Sequence, residues 1–359
     1  MLLTHLRKVL RRTPASYPLS EGVTNLPSMP IRDLRTLEFN QRIADPLLVI
    51  DVQRRSFGAD KDCTILTLGN ATGRIESAPF WGAEQAAVAG VAAGDVGQVI
   101  GEVAEYRGKR QLKVTSFRVL PRDSVDYAGL VPSIGDVEPF WKRLDQWRED
   151  IAGPRLKAVL GLFFDDPDFR QQFEQCPASP TGHHAQLGGL LKHVWEVAHI
   201  GRSIAASSGA DRDLVVAGAL LHDIGKVESY RWNGVFGYTD RGRLHGHVVL
   251  GALMLDRRLR EAPEPVCTDT EEMILQHLIL SHHGRTELGA AVPPMTLEAE
   301  VLHYADNASA KSASMADALL DGENFTGDDL VSTRSIWQLD KRRAWRGQSD
   351  WGAAGRQDG

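Results

Sequence analysis

Between residues 45 and 120, apolar and polar positions alternate with the period of two expected of half-buried strands. Pro46–Gln53 is a β-rich apolar run and Cys63–Leu68 follows it, and Arg74–Trp81, after the turn Gly69-Asn70-Ala71-Thr72-Gly73, alternates as a third strand would. Ala83–Ala93 favours a helix. Two more strands, Val96–Glu105 and Gln111–Leu120, flank a turn at Arg107-Gly108-Lys109. Three strands, a helix and two strands is an order that closes into a small five-stranded β-barrel. Further on the period becomes helical. Val137–Ile151 sets Phe140, Trp141, Leu144 and Trp147 on one face, and Arg155–Phe164 and Pro167–Phe173 continue in helical register. From 181 onward the chain reads as all helix. His184–Ser208 carries Leu187, Leu190, Leu191, Val194 and Val197 at helical spacing, and Asp213 is placed to cap a helix from Leu214 to about His222. Arg243–Leu259 is a further helix. Thr268-x-x-Glu271 is a capping box opening a helix to His282, and Thr296 caps a last one bearing Val301, Leu302, Ala305 and Asp306. The expected fold class is therefore multidomain, a β-barrel followed by an all-α bundle. The expected division is 1–36 (basic arm or linker, with four prolines), 37–121 (barrel), 122–180 (helical connector), 181–346 (helical domain) and 347–359 (Gly- and Asp-rich disordered tail).

Charge refines this picture. The net charge of −6 excludes a bulk nucleic-acid binder, but it is unevenly spread. Residues 1–35 carry +4, residues 37–120 hold ten charges of each sign, and about −10 remains for the rest. A balanced barrel implies modest, salt-sensitive affinity for a polyanion. An acidic helical half accepts a phosphate substrate if cations sit in it. Cys63, Cys176 and Cys267 form no C-x-x-C pair, which points to a reducing, cytoplasmic setting and away from a thiolate site. No run approaches the ~18 apolar residues of a membrane span. Met1–Arg12 is basic and mildly amphipathic without a signal-peptide core, and reads as a flexible arm.

The candidate chemistry lies in the histidines, eleven of twelve of which fall between 183 and 303. A lone histidine on an apolar helix is ordinarily a core residue, and His199, His277 and His303 are read so. His193, His222, Asp223, His247, His282, His283 and Asp306 are different as a set. They supply nitrogen and oxygen donors without sulfur, which suits Mn, Fe, Co, Ni or Zn better than Ca or Mg alone. Four donors complete one metal; seven suffice for two, with Asp223 as the bridge. A pair of divalent ions ~3.5–4 Å apart clamps a phosphoester and activates a water. Lys226, just beyond Asp223, is equally readable as a phosphate contact or as a helix-end charge. In the barrel, Phe80 or Trp81 is a candidate base-stacking platform, with Arg74, Arg107, Lys109 and Arg110 tracking phosphates. Against this stands the ordinary alternative of a core aromatic and solvated arginines.

His193…His222-Asp223…Asp306 is similar to the H…HD…D signature of the HD phosphohydrolase superfamily. The context sharpens the likeness: His183-His184-Ala185-x-x-Gly188-Gly189-Leu190-Leu191-x-His193, Gly218–Lys226, Gly242-Arg243-Leu244-x-Gly246-His247, His277–Gly284 and Leu302–Asn307. The hairpin Leu68-x-Asn70-Ala71-Thr72-Gly73-x-Ile75-x-Ser77-x-x-Phe80-Trp81 resembles that of nucleic-acid-binding OB-folds. Together these segments resemble the YhaM-type 3′→5′ exoribonucleases, over roughly residues 45–345. The resemblance implies a metal-dependent hydrolase releasing nucleoside 5′-monophosphates from the 3′ end of single-stranded RNA, with single-stranded DNA as a further candidate. It implies two divalent ions, manganese foremost. His193, His222, Asp223 and Asp306 would hold one; Asp223, His247, His282 and, as a further donor, His283 would hold the other. Asp223, Lys226 and His184 would serve the reaction, the last two near the substrate. One departure concerns this set: after Asp306-Asn307 the family pattern leads one to expect Leu-Asp-Ala-Lys, where this chain has Ala308-Ser309-Ala310-Lys311, so a carboxylate is missing at 309. A phosphodiesterase or nucleotidase acting on a small nucleotide, with a regulatory barrel, is the alternative; a non-catalytic RNA-binding protein is a third. A homo-oligomer is left open. The basic tail from Thr333 is expected to pack on the bundle through Trp337 and Trp345.

Overall fold

In the computed structural model the described residues are 32–57, 62–106, 108–121, 125, 129–232 and 234–349. The basic arm up to residue 31, Arg107, part of the Ser56–Asp62 connection and residues 350–359 lie outside them. The described residues from 33 onward form one compact unit.

The alternation of the N-terminal half folds into antiparallel strands β1 (Arg42–Ser56), β2 (Asp62–Asn70), β3 (Gly73–Glu76), β4 (Phe80–Trp81), β5 (Val96–Tyr106) and β6 (Lys109–Val119), in the order β3-β2-β1-β5-β6 with β4 beside β2. Ser77-Ala78-Pro79 splits the expected third strand into β3 and β4. The expected helix after it is a 3-10 turn, Gly82–Val88. The sheet is not closed by a ladder. Its edges, β3 and β6, meet at a single parallel bridge, Ser77 opposite Leu112, where the Ala78 amide donates to the Leu112 carbonyl at 2.9 Å. Inside the curl lie Ile43, Leu47, Val49, Leu66, Leu68, Ile75, Phe80, Val99, Val103 and Leu112. Leu34 and Leu37 pack into this core as well, so the expected linker is already part of the fold by residue 34. Arg110 secures that junction: its Nη1 donates to the carbonyls of Leu34, Arg35 and Leu37 at 3.3, 2.6 and 3.1 Å.

The second half is helical: α1 (Glu138–Glu149), α2 (Pro154–Phe164), α3 (Pro167–Gln175), α4 (Gly189–Ser208), α5 (Arg212–Leu221), α6 (Lys226–Ser229), α7 (Asp240–Glu261), α8 (Asp269–Ser281) and α9 (Leu297–Leu320), with a two-residue hairpin β7 (Tyr230–Arg231) and β8 (Gly237–Tyr238) after α6. Among the described residues no helix is long and apolar enough to cross a membrane. The aromatic stripe of the connector is core: Trp141, Trp147, Phe163 and Phe173 join Leu190, Val194, Leu220, Leu278 and Leu302 in one cluster. The caps at Thr268 and Thr296 form as the sequence implies. The cap of α5 is Asp211, whose carboxylate accepts from the amides of Asp213 and Leu214; Asp213 instead accepts from the Ala152 amide at 2.8 Å. The tail packs through Ile336, Leu339 and Ala344 against Ala318 and Phe325. Trp337 and Trp345 are 78% and 62% exposed, which corrects their expected role. Short Ile, Leu and Ala side chains fill the shallow seam and leave the indoles outside.

Candidate metal centre

Five helices and one turn bring the expected ligands together. His193 lies one turn into α4, Asp306 within α9, and His222 and His282 follow the last residues of α5 and α8. Two glycines complete the set. Gly246, at φ 73° and ψ 156°, interrupts α7 one residue before His247, a backbone state that a side chain would resist. At Gly225 an added Cβ would lie 2.0 Å from the His247 carbonyl and 2.4 Å from the Gly251 amide nitrogen. The turn after Asp223 thus presses directly on α7 and keeps His247 beside the carboxylate.

Asp223 is the hub. Its Oδ2 faces His222 Nε2 at 3.1 Å and His193 Nε2 at 3.4 Å, while its Oδ1 faces His247 Nε2 at 3.3 Å and His282 Nε2 at 3.7 Å. Asp306 Oδ1 lies 3.0 Å from His193 Nε2, and His247 and His283 approach through their Nε2 atoms at 3.1 Å. Two groups of donors could each hold an ion, His193–His222–Asp223 and His247–His282–His283.

The proton positions show why a cation fits. His222 Nδ1 lies 2.8 Å from the Ala219 carbonyl and His282 Nδ1 2.6 Å from the Ile279 carbonyl. A carbonyl only accepts, so both Nδ1 atoms carry hydrogen and the neutral rings present bare Nε2 lone pairs. Those lone pairs point at carboxylate oxygens, an arrangement that a proton or a metal must bridge. Asp223 Oδ1 is buried and has no hydrogen-bond partner, an orphaned acceptor of the kind that a metal satisfies.

Electrostatics agrees. Burial works against ionising Asp223, but Lys226 and His222 outweigh it and hold the carboxyl well below its usual range. Burial likewise opposes ionising Asp306, and His193 overcomes it. Burial pushes the His247 imidazole down to about 3 and that of His282 well below its usual value. His193 and His283 also move down, chiefly by burial. His222 alone moves up, because the adjacent Asp223 outweighs its burial. Most of the ring is therefore neutral near pH 7, the form that ligates a metal.

Other expected residues fall elsewhere. Lys226 neither ends a helix nor stands free: it opens α6, buried, with its Nζ 2.5 Å from Asp223 Oδ2. His184 turns away from the centre, and its Nε2 lies 2.9 Å from Glu196 Oε2. His183, to which the sequence pattern assigns no role, packs 5.2 Å from the His193 ring with a buried, unpartnered Nε2. His199 stacks on Trp195, His277 accepts from the Met295 amide, and His303 donates to the His282 carbonyl; all three stand outside the ligand set.

On the N-terminal sheet, register decides the aromatic pair. Phe80 lies opposite Thr64 and points into the core, while Trp81 lies opposite Cys63 and is 44% exposed. Phe57, 59% exposed, stands beside it with ring centroids 5.8 Å apart. Arg74 and Lys109 are exposed. Burial takes Phe80 out of reach of a strand, and the three carbonyls engage Nη1 of the half-buried Arg110.

The model of the HD domain matches residues 190–311, which contain all seven expected ligands. A "3′-5′ exoribonuclease YhaM" of Bacillus pumilus (strain SAFR-032) is 32% identical over 294 residues, covering 80% of this chain and 91% of that protein. The protein of the same name from Bacillus subtilis (strain 168) is 32% identical over 290 residues, 79% and 89% of the two chains. That of Shouchella clausii (strain KSM-K16) is 34% identical over 282 residues, 76% and 85%. No solved structure matches.

Proposed function

The chain belongs to the family of the 3′-5′ exoribonuclease YhaM, and from that premise we propose that its helical half hydrolyses single-stranded RNA from the 3′ end, releasing nucleoside 5′-monophosphates. The observation that carries this reading is the division of Asp223, one oxygen facing His193 and His222 and the other facing His247 and His282. We assign His193, His222, Asp223 and Asp306 to one divalent ion and Asp223, His247, His282 and His283 to a second. Manganese is the first choice on the family likeness, while nitrogen and oxygen donors alone admit Mn, Co, Fe, Ni and Zn. When bound, such ions supply Lewis acidity at the scissile phosphate and lower the pKa of an attacking water. The chain's own residues prepare that chemistry. The carbonyls of Ala219 and Ile279 fix the tautomers of His222 and His282. Lys226 keeps the bridging carboxylate ionised and oriented, a role that replaces the expected phosphate contact.

The N-terminal sheet is read as an OB-fold barrel. Its strand order, with first and last edges touching in parallel at Ser77 and Leu112, supports that reading. We assign Trp81 with Phe57 as a stacking surface and Arg74 and Lys109 as phosphate contacts. A strand-holding barrel beside the hydrolytic centre favours RNA over a small nucleotide. The three free cysteines support placement in a reducing cytoplasm.

The deciding assay supplies Mn²⁺ and 5′-labelled single-stranded RNA with a free or a blocked 3′ end, with single-stranded DNA in parallel. A ladder shortening only from the free end, and absent with His222→Ala, is the expected result. Cleavage of small nucleotides alone would establish the other reading. For the barrel, Trp81→Ala is expected to weaken binding of 3′-blocked RNA by about 1–3 kcal/mol, the usual worth of a stacked base, with an unchanged thermal midpoint. Phe80→Ala is expected to act in the opposite sense, costing about 3–5 kcal/mol of stability as a buried truncation. Equal RNA affinity in Trp81→Ala, measured by fluorescence anisotropy, removes the stacking assignment.

A further inference from the structure

His193 differs from the other buried imidazoles of the centre in how its ring is held. His222 and His282 sit at helix ends, where carbonyls are left without helical partners, and each Nδ1 uses one three residues back. His193 lies one turn into its helix, where the carbonyls are engaged in the helix itself. Its Nδ1 instead lies 2.9 Å from Ser309 Oγ, and Ser309 Oγ lies 2.7 Å from Glu196 Oε2. We propose that Ser309 and Glu196 are positioning residues for the metal centre, a two-member relay that fixes His193 in its Nδ1–H tautomer and turns its bare Nε2 to the cation.

The direction of each hydrogen bond follows from chemistry. An ionised carboxylate only accepts, so Ser309 gives its one proton to Glu196. The hydroxyl then meets His193 with a lone pair, and Nδ1 must donate. The lone pair left on Nε2 faces Asp306 Oδ1 at 3.0 Å and Asp223 Oδ2 at 3.4 Å. Glu196 is kept ionised from behind. Burial opposes its charge, but hydrogen bonds from His184 and Ser309 hold its carboxyl below the ordinary value. His184 reaches it from a left-handed backbone at φ 50°, a conformation a non-glycine residue adopts at a cost unless the surroundings fix it. That gives His184 a place in supporting the relay, apart from the substrate.

Two helices share this design. α4 carries the ligand His193 and its support Glu196 three residues on; α9 carries Asp306 and Ser309 at the same spacing. Each helix thus presents ligand and support on one face. A hydroxyl and a carboxylate from different helices together perform the task that the missing carboxylate at 309 would perform alone. Beyond the relay lies a cavity of about 710 Å³, bordered by His184, Lys192, Glu196, Ser309 and Asp317, which leaves room for a longer side chain at 309.

The relay rests on the metal reading above, and calorimetric titration of the full-length, metal-stripped protein with Mn²⁺ separates the two. Ser309→Ala is expected to weaken binding by about 10- to 100-fold, as for other supports of a ligating histidine, and Glu196→Gln to weaken it in the same direction. Ser309→Asp is expected to retain tight binding, and in that background Glu196→Gln is expected to cost nothing further, because the new carboxylate accepts directly from His193. Long-range ¹H–¹⁵N spectra of the metal-free protein are expected to show His193 protonated at Nδ1 in the wild type and redistributed toward Nε2 in Ser309→Ala. If Ser309→Ala fails to fold, the Glu196→Gln and Ser309→Asp pair reads the same coupling. Wild-type protein that takes up no divalent ion overturns the metal reading itself. Tight binding by the wild type and by Ser309→Ala alike, or a Glu196→Gln penalty that persists in the Ser309→Asp background, overturns the relay alone.

Discussion

Asp223→Asn is expected to abolish RNA hydrolysis, by about 10³-fold or more in kcat/KM on the scale of lost electrostatic and metal catalysis, and to lower the stability of the metal-free fold as well. The two halves of this expectation have one cause. In the wild type Asp223 Oδ2 accepts from the buried Lys226 ammonium at 2.5 Å and faces His222 and His193, while Oδ1 faces His247 and His282 at 3.3 and 3.7 Å without a hydrogen bond. An asparagine keeps the shape and still accepts from Lys226, while its amide hydrogens can donate to the bare Nε2 of His247 or His282. The apo protein therefore gains a hydrogen bond worth about 0.5–1.5 kcal/mol but loses the anion that pairs with the buried Lys226 ammonium, a loss of about 3–5 kcal/mol for a broken buried pair. Metal binding falls as well, because an amide nitrogen is no ligand and the shared anionic bridge is lost to both groups of donors. Elemental analysis after dialysis against Mn²⁺ should show loss of metal relative to the wild type, and the thermal midpoint in chelator should be lower. Substantial residual hydrolysis in Asp223→Asn would sink the role of Asp223 as the bridge.

Much of this centre is legible in the sequence, because its donors are local to recognisable features. His222-Asp223 follows an apolar run, His282-His283 ends a helix announced by the Thr268–Glu271 box, and Asp306 lies on a helix capped by Thr296. What sequence leaves open is decided by side-chain direction and by long-range contact. Phe80 and Trp81 are adjacent aromatics, and only the pairing of β4 with β2 determines which points inward. Asp211 and Asp213 are both good caps; Asp211 prevails because its carboxylate reaches two amides while Asp213 is drawn to Ala152. Arg110 reads as a phosphate contact until the turn at 34–36 occupies it. Lys226 offers two readings and adopts neither, since its ammonium is needed beside a buried carboxylate. Ser309 registers in the sequence only as an absence. Its partner Glu196 lies 113 residues away and meets it where α4 and α9 pack.

The same neutral imidazoles predict how the metal-free protein responds to acid. His183 and His247 are pushed down to about 3 from 6.5, chiefly by burial, and His193, His282 and His283 move the same way. Between these values and 6.5 the unfolded chain binds protons that the folded chain refuses, so stability rises with pH across that window. The contribution is complete above about pH 6.5 and is lost as pH falls toward 3. Asp223 and Asp306, held low in the fold, add a loss of the same sign below about 3.8. His222, raised by Asp223, acts oppositely: its contribution is present below 6.5 and lost as pH climbs through its higher value. The downward-shifted rings outnumber it. At about 1.4 kcal/mol for each tenfold change in proton affinity, even a fraction of their sum is comparable with the roughly 5–15 kcal/mol that holds a domain folded. In chelator, the denaturant midpoint is therefore expected to fall steeply from pH 6.5 to 4, before ordinary carboxylates titrate. Mn²⁺ competes with protons for the same nitrogens and stabilises only the folded chain. Adding it should move the fall to lower pH in the wild type and much less in Asp223→Asn. A midpoint that stays flat from pH 6.5 to 4 in chelator would mean that these imidazoles are not held neutral by the fold.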